Sequence, residues 1–274
     1  MSTVQGTSDN ALYYEDTGGT GRPVVLIHRW PLSGKSWKDQ VQPLSGAGYR
    51  VINYDRRGFG ESDKPATGYD YDTLTDDLAA LLAALDLRDV TLVGFSMGGG
   101  EVARYVAKHG QDRLRSVVFA SAVPPYMLKT GDNPDGPLST TEAAKMAAHL
   151  TASSDSFYDD FMTKFFSAGD QLCITEDERQ EAIAVCQQAS KLAALECMTA
   201  FGGTDFREDL AQVKVPTLVI HGDSDGTVPF EGSSQRTHEA IAGSELVVVN
   251  GGPHGVNTSH AAEFNQALIS FLSR

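Results

Sequence analysis

Three residues far apart in the chain have the types and settings that nucleophilic catalysis needs. Ser96 lies in Val90-Thr-Leu-Val-Gly-Phe-Ser-Met-Gly-Gly-Gly100, an apolar β-branched run that stops at a serine and leads into a helical pattern at 101–108. Gly94, Ser96 and Gly98 form G-x-S-x-G, in which a sharp strand-to-helix turn lifts a hydroxyl clear of a sheet edge and aims a helix N-terminus at it. A serine hydroxyl is a weak nucleophile at neutral pH unless a histidine takes its proton and an acid holds that histidine in the right tautomer. Both partner types occur downstream. His221-Gly-Asp-Ser-Asp225 puts two carboxylates just past an apolar run, and Gly251-Gly-Pro-His-Gly255 carries a histidine on a glycine-flanked loop. The order Ser96, Asp225, His254 suits a strand–turn–helix nucleophile, with Asp223 as the rival acid.

The elements that must position these residues follow from hydrophobic period. The short uninterrupted apolar run at 24–28 predicts a strand of the buried type that parallel sheets need, and the stretches at 49–54, 90–95, 114–120, 216–221 and 245–250 predict further strands. Helical patterns at 36–44, 72–87 and 261–272 fall between or after them, and leucines 74, 78, 81, 82 and 85 give the clearest helical face. This alternation predicts an α/β fold, a mostly parallel sheet with helices on both faces and sites at strand C-terminal ends. Residues 11–16 followed by a turn at 17–23 predict an N-terminal edge hairpin. From 124 to 209 the alternation stops and no strand is evident, so 1–123 and 210–274 are expected to form the core and 124–209 a helical cap. Phe157, Phe161, Phe165, Phe166 and Met198 are candidates to line an apolar pocket beneath that cap.

Composition narrows the function classes. Twenty-two Lys+Arg against 36 Asp+Glu give a net charge of -14 over 274 residues, which repels nucleic acid phosphates and anionic lipid. The polar N-terminus lacks a signal-peptide core and no run reaches a membrane span, so a cytoplasmic location is expected. Cys173, Cys186 and Cys197 are odd in number and lack C-x-x-C spacing, which predicts buried thiols.

Five segments in order, His28-x-Trp30-Pro31, 54–62, 94–102, 221–225 and 251–255, make the chain resemble the α/β-hydrolase family, more narrowly its cofactor-free haloperoxidase, or perhydrolase, and arylesterase branch. The resemblance covers almost the whole chain. It implies Ser96 as nucleophile, His254 as general base and acid, and Asp225, the second aspartate of its motif, as the orienting carboxylate. It implies an oxyanion hole of the Trp30 and Met97 backbone N–H groups, with His28 bracing the loop base. It further implies an acyl-serine attacked by water or by hydrogen peroxide, a small ester or acyl substrate, and no haem, metal or flavin. A dimer or trimer is suggested by the resemblance alone. Pro31 leans to the perhydrolase side. Arg29 departs from the pattern, standing where the family carries glycine; the side chain either points to solvent or pairs with a carboxylate, displaces the Trp30 N–H, or reads an acidic substrate. Arg29, Pro31, Phe95, Phe157 and Phe161 are the candidate substrate contacts.

Three other readings compete. Lactones and γ-lactams share the same tetrahedral intermediate, and a non-catalytic binding protein is conceivable if Arg29 spoils the oxyanion hole. Gly34-Lys35-Ser36 imitates the end of a phosphate-binding loop, but its first glycine would be residue 29.

Overall fold

A computed structural model describes residues 2–274. In chain order its strands are β1 (Ser2–Gln5), β2 (Ala11–Asp16), β3 (Pro23–Ile27), β4 (Arg50–Tyr54), β5 (Val90–Phe95), β6 (Leu114–Ala120), β7 (Ser167–Ala168), β8 (Gln171–Leu172), β9 (Thr217–Gly222) and β10 (Glu245–Val249). All but β7 and β8 join one eight-stranded sheet in the order β1-β2-β4-β3-β5-β6-β9-β10. Pairing is antiparallel from β1 to β4 and parallel from β4 to β10.

The continuous apolar runs are explained by burial on both faces. Val24, Leu26, Val93, Phe95, Val118, Leu218 and Ile220 face one layer, where they meet Leu44 of α1 (Lys38–Gly46) and Phe264 and Leu268 of α11 (Ala261–Leu272). The alternate residues Val25, Ile27, Leu92, Val117, Phe119 and Val219 face the other layer, with Leu78 and Leu82 of α2 (Tyr71–Ala84) and Val102 and Val106 of α3 (Met97–His109). A strand with period-two side chains and no wet face must read as unbroken hydrophobic sequence.

Between β6 and β9 the chain forms α4 (Thr140–Ala152), α5 (Ser154–Phe165), the two-residue hairpin β7–β8, α6 (Glu176–Cys186), α7 (Lys191–Gly203) and α8 (Arg207–Leu210). Reciprocal capping boxes, Ser139 with Glu142 and Thr175 with Glu178, start α4 and α6. After β9 come α9 (Ser234–Ala240) and α10 (Val256–Ser259).

The edge hairpin differs from the expectation. β2 pairs back with β1 across a short 3-10 turn, and β4 stands between β2 and β3, so the turn at 17–23 joins strands that are not neighbours. β1 is short and polar, and its pattern is too weak to read without its partner. The 3-10 turn Gly34–Trp37 precedes α1, with the Gly34 N–H bonded to Asp55 at 2.7 Å, so Gly34-Lys35-Ser36 is braced by a carboxylate. The three cysteines are free, two of them buried. Among the described residues no helix is long and apolar enough to cross a membrane.

Beneath the sheet's C-terminal edge lies a buried ionic network. The Arg56 guanidinium bonds Glu101 on α3 and the His28 carbonyl, and the Tyr54 hydroxyl donates to Glu101 at 2.8 Å. Arg57 pairs with Asp77 of α2 at 2.6 and 2.7 Å. Asp55, Arg56 and Arg57 therefore brace loops. Removing one member of a buried pair strands the other charge. Glu101→Ala is expected to cost about 3–5 kcal/mol in urea unfolding, and Arg56→Met with Glu101→Leu to recover most of that loss. A single-variant cost near zero would mean that the pair does not hold the loops.

Candidate active site

Ser96 occupies the turn between β5 and α3. Its backbone sits at φ 54, ψ −117, a region that non-glycine residues avoid. The strain is held from both sides, because the Ser96 N–H donates to the Ala120 carbonyl at 2.8 Å and its own carbonyl accepts from Val123 N–H at 3.2 Å. A Cβ on Gly94 would collide with the Gly98 carbonyl, and one on Gly98 with the Ile27 carbonyl, so both glycines of G-x-S-x-G are needed for strand, turn and β3 to approach this closely.

The loops after β9 and β10 bring the other two residues to this turn. His254 Nε2 lies 2.9 Å from Ser96 Oγ, and His254 Nδ1 lies 2.6 Å from Asp225 Oδ2. Asp225 Oδ1 accepts from the N–H groups of Thr227 and Val228 at 2.8 and 2.7 Å. A further neighbour was not anticipated: His221, whose Nε2 donates to the Val228 carbonyl at 2.9 Å, also stands 3.0 Å from Asp225 Oδ2, with Ser234 Oγ on its Nδ1 at 2.6 Å. Burial alone would raise the Asp225 pKa, but facing His254 and the adjacent His221 hold it well below the usual range, so it stays a carboxylate. Burial lowers the His254 pKa against the pull of Asp225, which leaves a neutral imidazole ready to accept a proton. Asp223 is exposed and accepts from the Gly251 N–H at 2.7 Å, a loop contact remote from the histidine's Nδ1.

The loop at 28–31 presents a fixed peptide. His28 Nε2 accepts from Arg56 N–H at 3.0 Å, so Nδ1 carries the hydrogen and donates to the Arg29 carbonyl at 2.9 Å. Leu32 N–H reaches the same carbonyl at 3.1 Å. Because a peptide is planar, pinning the Arg29 C=O also orients the Trp30 N–H on its opposite side. That N–H and the Met97 N–H donate to no backbone carbonyl outside helices and strands among the described residues, and Met97 is the first residue of its helix. Arg29 does not have positive φ, so the loop takes an arginine without backbone strain. Its side chain neither reaches solvent nor pairs with a carboxylate; it is 2% exposed, bonds Asn257 Oδ1, and lies 5.0 Å from the Phe95 and Phe165 ring centres.

The pocket at Ser96 has a volume of about 40 Å³ and is walled by Trp30, Val123, Met127, Phe161, Phe201 and Val228, among others. A larger chamber of about 520 Å³ shares Met127, Leu138, Met146, Phe161 and Thr227 with it and adds Phe157 and His149. Of the candidate substrate contacts, Phe161 borders both spaces and Phe157 the outer one. Arg29, Pro31 and Phe95 border neither; Phe95 belongs to the opposite core layer, against Trp37 and Phe264, because successive strand residues face opposite ways. Phe165 sets its ring edge-on to His254 at 4.6 Å, and its carbonyl accepts from Gly255 N–H at 2.9 Å, so α5 holds the histidine loop. Met198 borders a separate surface hollow. The lining residues from 123–146 and 201 carry no spacing that would have singled them out.

A depressed His254 pKa has a sign that can be measured. The free base persists below the ordinary value of 6.5, so the acid limb of kcat/KM for ester cleavage is expected at a pH under 6.5. A limb above 6.5 in a pH–rate profile would contradict this electrostatic picture.

The comparisons with known proteins agree with this architecture. The family model described as alpha/beta hydrolase fold matches residues 22–261. A non-heme chloroperoxidase of Kitasatospora aureofaciens is 45% identical over 267 residues, covering 96% of each chain. A bifunctional esterase/perhydrolase of Acinetobacter calcoaceticus is 35% identical over 264 residues and 95% of each chain. The crystal structure of a bromoperoxidase from Bacillus anthracis superposes with a TM-score of 0.97 at 52% identity over 100% of both chains. The chain belongs to the α/β-hydrolase family, in the branch of the non-heme haloperoxidases and esterase/perhydrolases.

Proposed function

We propose that this protein hydrolyses small carboxylic esters through an acyl-serine intermediate, and that it forms a peracid when hydrogen peroxide takes the place of water. The observation that carries the reading is the continuous relay from Ser96 Oγ to His254 at 2.9 Å and from His254 to Asp225 at 2.6 Å. Ser96 Oγ attacks the ester carbonyl while His254 Nε2 takes its proton. The tetrahedral oxyanion is held by the N–H groups of Trp30 and Met97, donors that need no reorganisation as charge develops. His254 then gives the proton to the leaving alcohol, and the acyl-serine forms. In the second half, water or hydrogen peroxide loses a proton to His254 and attacks the acyl carbon. Ser96 leaves with that proton, and a carboxylic acid or a peracid is released. The peracid oxidises halide in solution, which agrees with the haloperoxidase names among relatives.

The small space at Ser96 supports a short acyl group, since about 40 Å³ holds on the order of two or three water-sized groups. The outer chamber suits the leaving group. Residues 124–209 serve as the cap in this reading, because Met127, Leu138, Met146, Phe161 and Phe201 supply most of the apolar wall. Arg29 leaves the oxyanion loop usable, given its unstrained backbone and the pinned carbonyl before Trp30. A catalytically silent binding protein is correspondingly disfavoured.

A fluorophosphonate probe is expected to label Ser96 stoichiometrically, and Ser96→Ala to lower kcat by about four orders of magnitude or more. Folded protein that resists the probe would sink the mechanism. Across p-nitrophenyl esters, acetate and propionate are expected to outrun octanoate, with lactones and γ-lactams as comparison substrates. Acetate, hydrogen peroxide and bromide together are expected to give halogenation that disappears in Ser96→Ala. Halogenation surviving that change would place the peroxide chemistry elsewhere.

A further inference from the structure

A second cavity, of about 380 Å³, lies on the far side of the 28–31 loop and shares no residue with the pocket at Ser96. That volume falls in the range of small-molecule sites. Leu32, Val41, Phe166, Ala182 and Val185 give it apolar walls, from the chain just past the loop, α1, the end of α5 and α6. Arg29 and Thr258 complete the inner wall, and Lys35 and Lys38, half exposed, stand at its mouth.

The inner wall carries an uncompensated charge. Among the described residues no carboxylate pairs with the Arg29 guanidinium; its partners are the neutral side chains Asn257 and, at 3.5 Å, Thr258. Arg29 Nε and Ser36 Oγ, both on residues of this cavity, are buried without any hydrogen-bond partner. The ionisable groups that act on Arg29 are the Cys186 thiol, which burial keeps protonated, and Asp39 at a distance. Burial pushes the guanidinium pKa down to about 9, which leaves it cationic at neutral pH. The carboxylates that border the cavity are otherwise engaged: Glu178 caps α6, Glu181 pairs with Lys38 at 2.8 Å, and Glu15 accepts from Tyr13 and Asn53. A buried cation with apolar neighbours is stabilised most by an anion that brings its own apolar surface.

We propose that this cavity is a binding site, separate from the catalytic pocket, for an amphipathic monocarboxylate whose carboxylate pairs with Arg29 and whose hydrocarbon part lies against Leu32, Val41, Phe166, Ala182 and Val185. Cation–π contacts with Phe95, Phe165 and Phe166, at 5.0, 5.0 and 5.7 Å, keep the Arg29 guanidinium in place. Arginine suits this task because its planar fork takes a carboxylate through two donors.

Hexanoate is the probe, and binding is read directly by calorimetry, so the outcome does not depend on whether Ser96 is a nucleophile. Hexanoate is expected to bind one site per chain and hexan-1-ol, with the same tail and no charge, about tenfold weaker or worse. Arg29→Met, which keeps the side-chain length, and Ala182→Phe, which fills the cavity from α6 without touching the Ser96 pocket, are each expected to abolish the binding. Equal affinity for hexanoate and hexan-1-ol would overturn the role of Arg29. Binding that survives Ala182→Phe, or that competes with p-nitrophenyl acetate, would place the carboxylate in the catalytic pocket instead, and no heat at millimolar hexanoate would remove the site altogether.

Discussion

The turn at Ser96 is the constraint on which the rest of this structure depends. A non-glycine residue at positive φ costs of the order of 1–3 kcal/mol, and it persists only where its surroundings over-determine it. Here β6 supplies the Ala120 carbonyl, the chain beyond it supplies the Val123 N–H, and β3 packs against Gly98 too closely for any side chain. The sheet's strand order follows from the same need. Placing β5 between β3 and β6 sets the hydroxyl beside the 28–31 loop on one side and within reach of the β9 and β10 loops on the other.

Charges buried under the strand ends do a second job that apolar packing cannot. His28 fixes a carbonyl, and through the plane of that peptide it fixes an N–H one bond away. Arg56 holds His28 in the tautomer this requires, and Glu101 on α3 neutralises Arg56. The helix that begins just after Ser96 therefore also anchors the loop that faces it. On the opposite side Asp225 collects two backbone N–H groups and two imidazoles, which keeps a carboxylate ionised where burial alone would protonate it.

The helices between β6 and β9 decide what can reach this chemistry. They contribute most of the wall at Ser96 and leave it small, while α5 reaches down to brace His254 through Phe165. The same helices close a different space around Arg29, with α6 forming one side of it. One loop thus turns the Trp30 N–H to one side and the Arg29 guanidinium to the other.

The sequence by itself determined the fold class and the three residues of the relay. Strands buried on both faces must be continuously apolar, and a strained turn needs its glycines at one spacing, so both leave marks that local reading recovers. The second aspartate of His221-Gly-Asp-Ser-Asp225 was legible as the acid by resemblance, and the structure sets that residue, not exposed Asp223, beside His254. Tertiary structure alone decided the rest. That Phe95 faces away from the pocket depends on which side of β5 the substrate lies; that His221 meets Asp225 depends on how the loop after β9 folds back. The β1–β2 hairpin is not legible because the four residues Ser2-Thr-Val-Gln5, with one apolar side chain among them, have no pattern until a partner strand supplies one. Arg29 was visible as an oddity, but its direction depends on Asn257, Phe165 and α6, all more than 130 residues away in sequence, and no local period encodes such contacts.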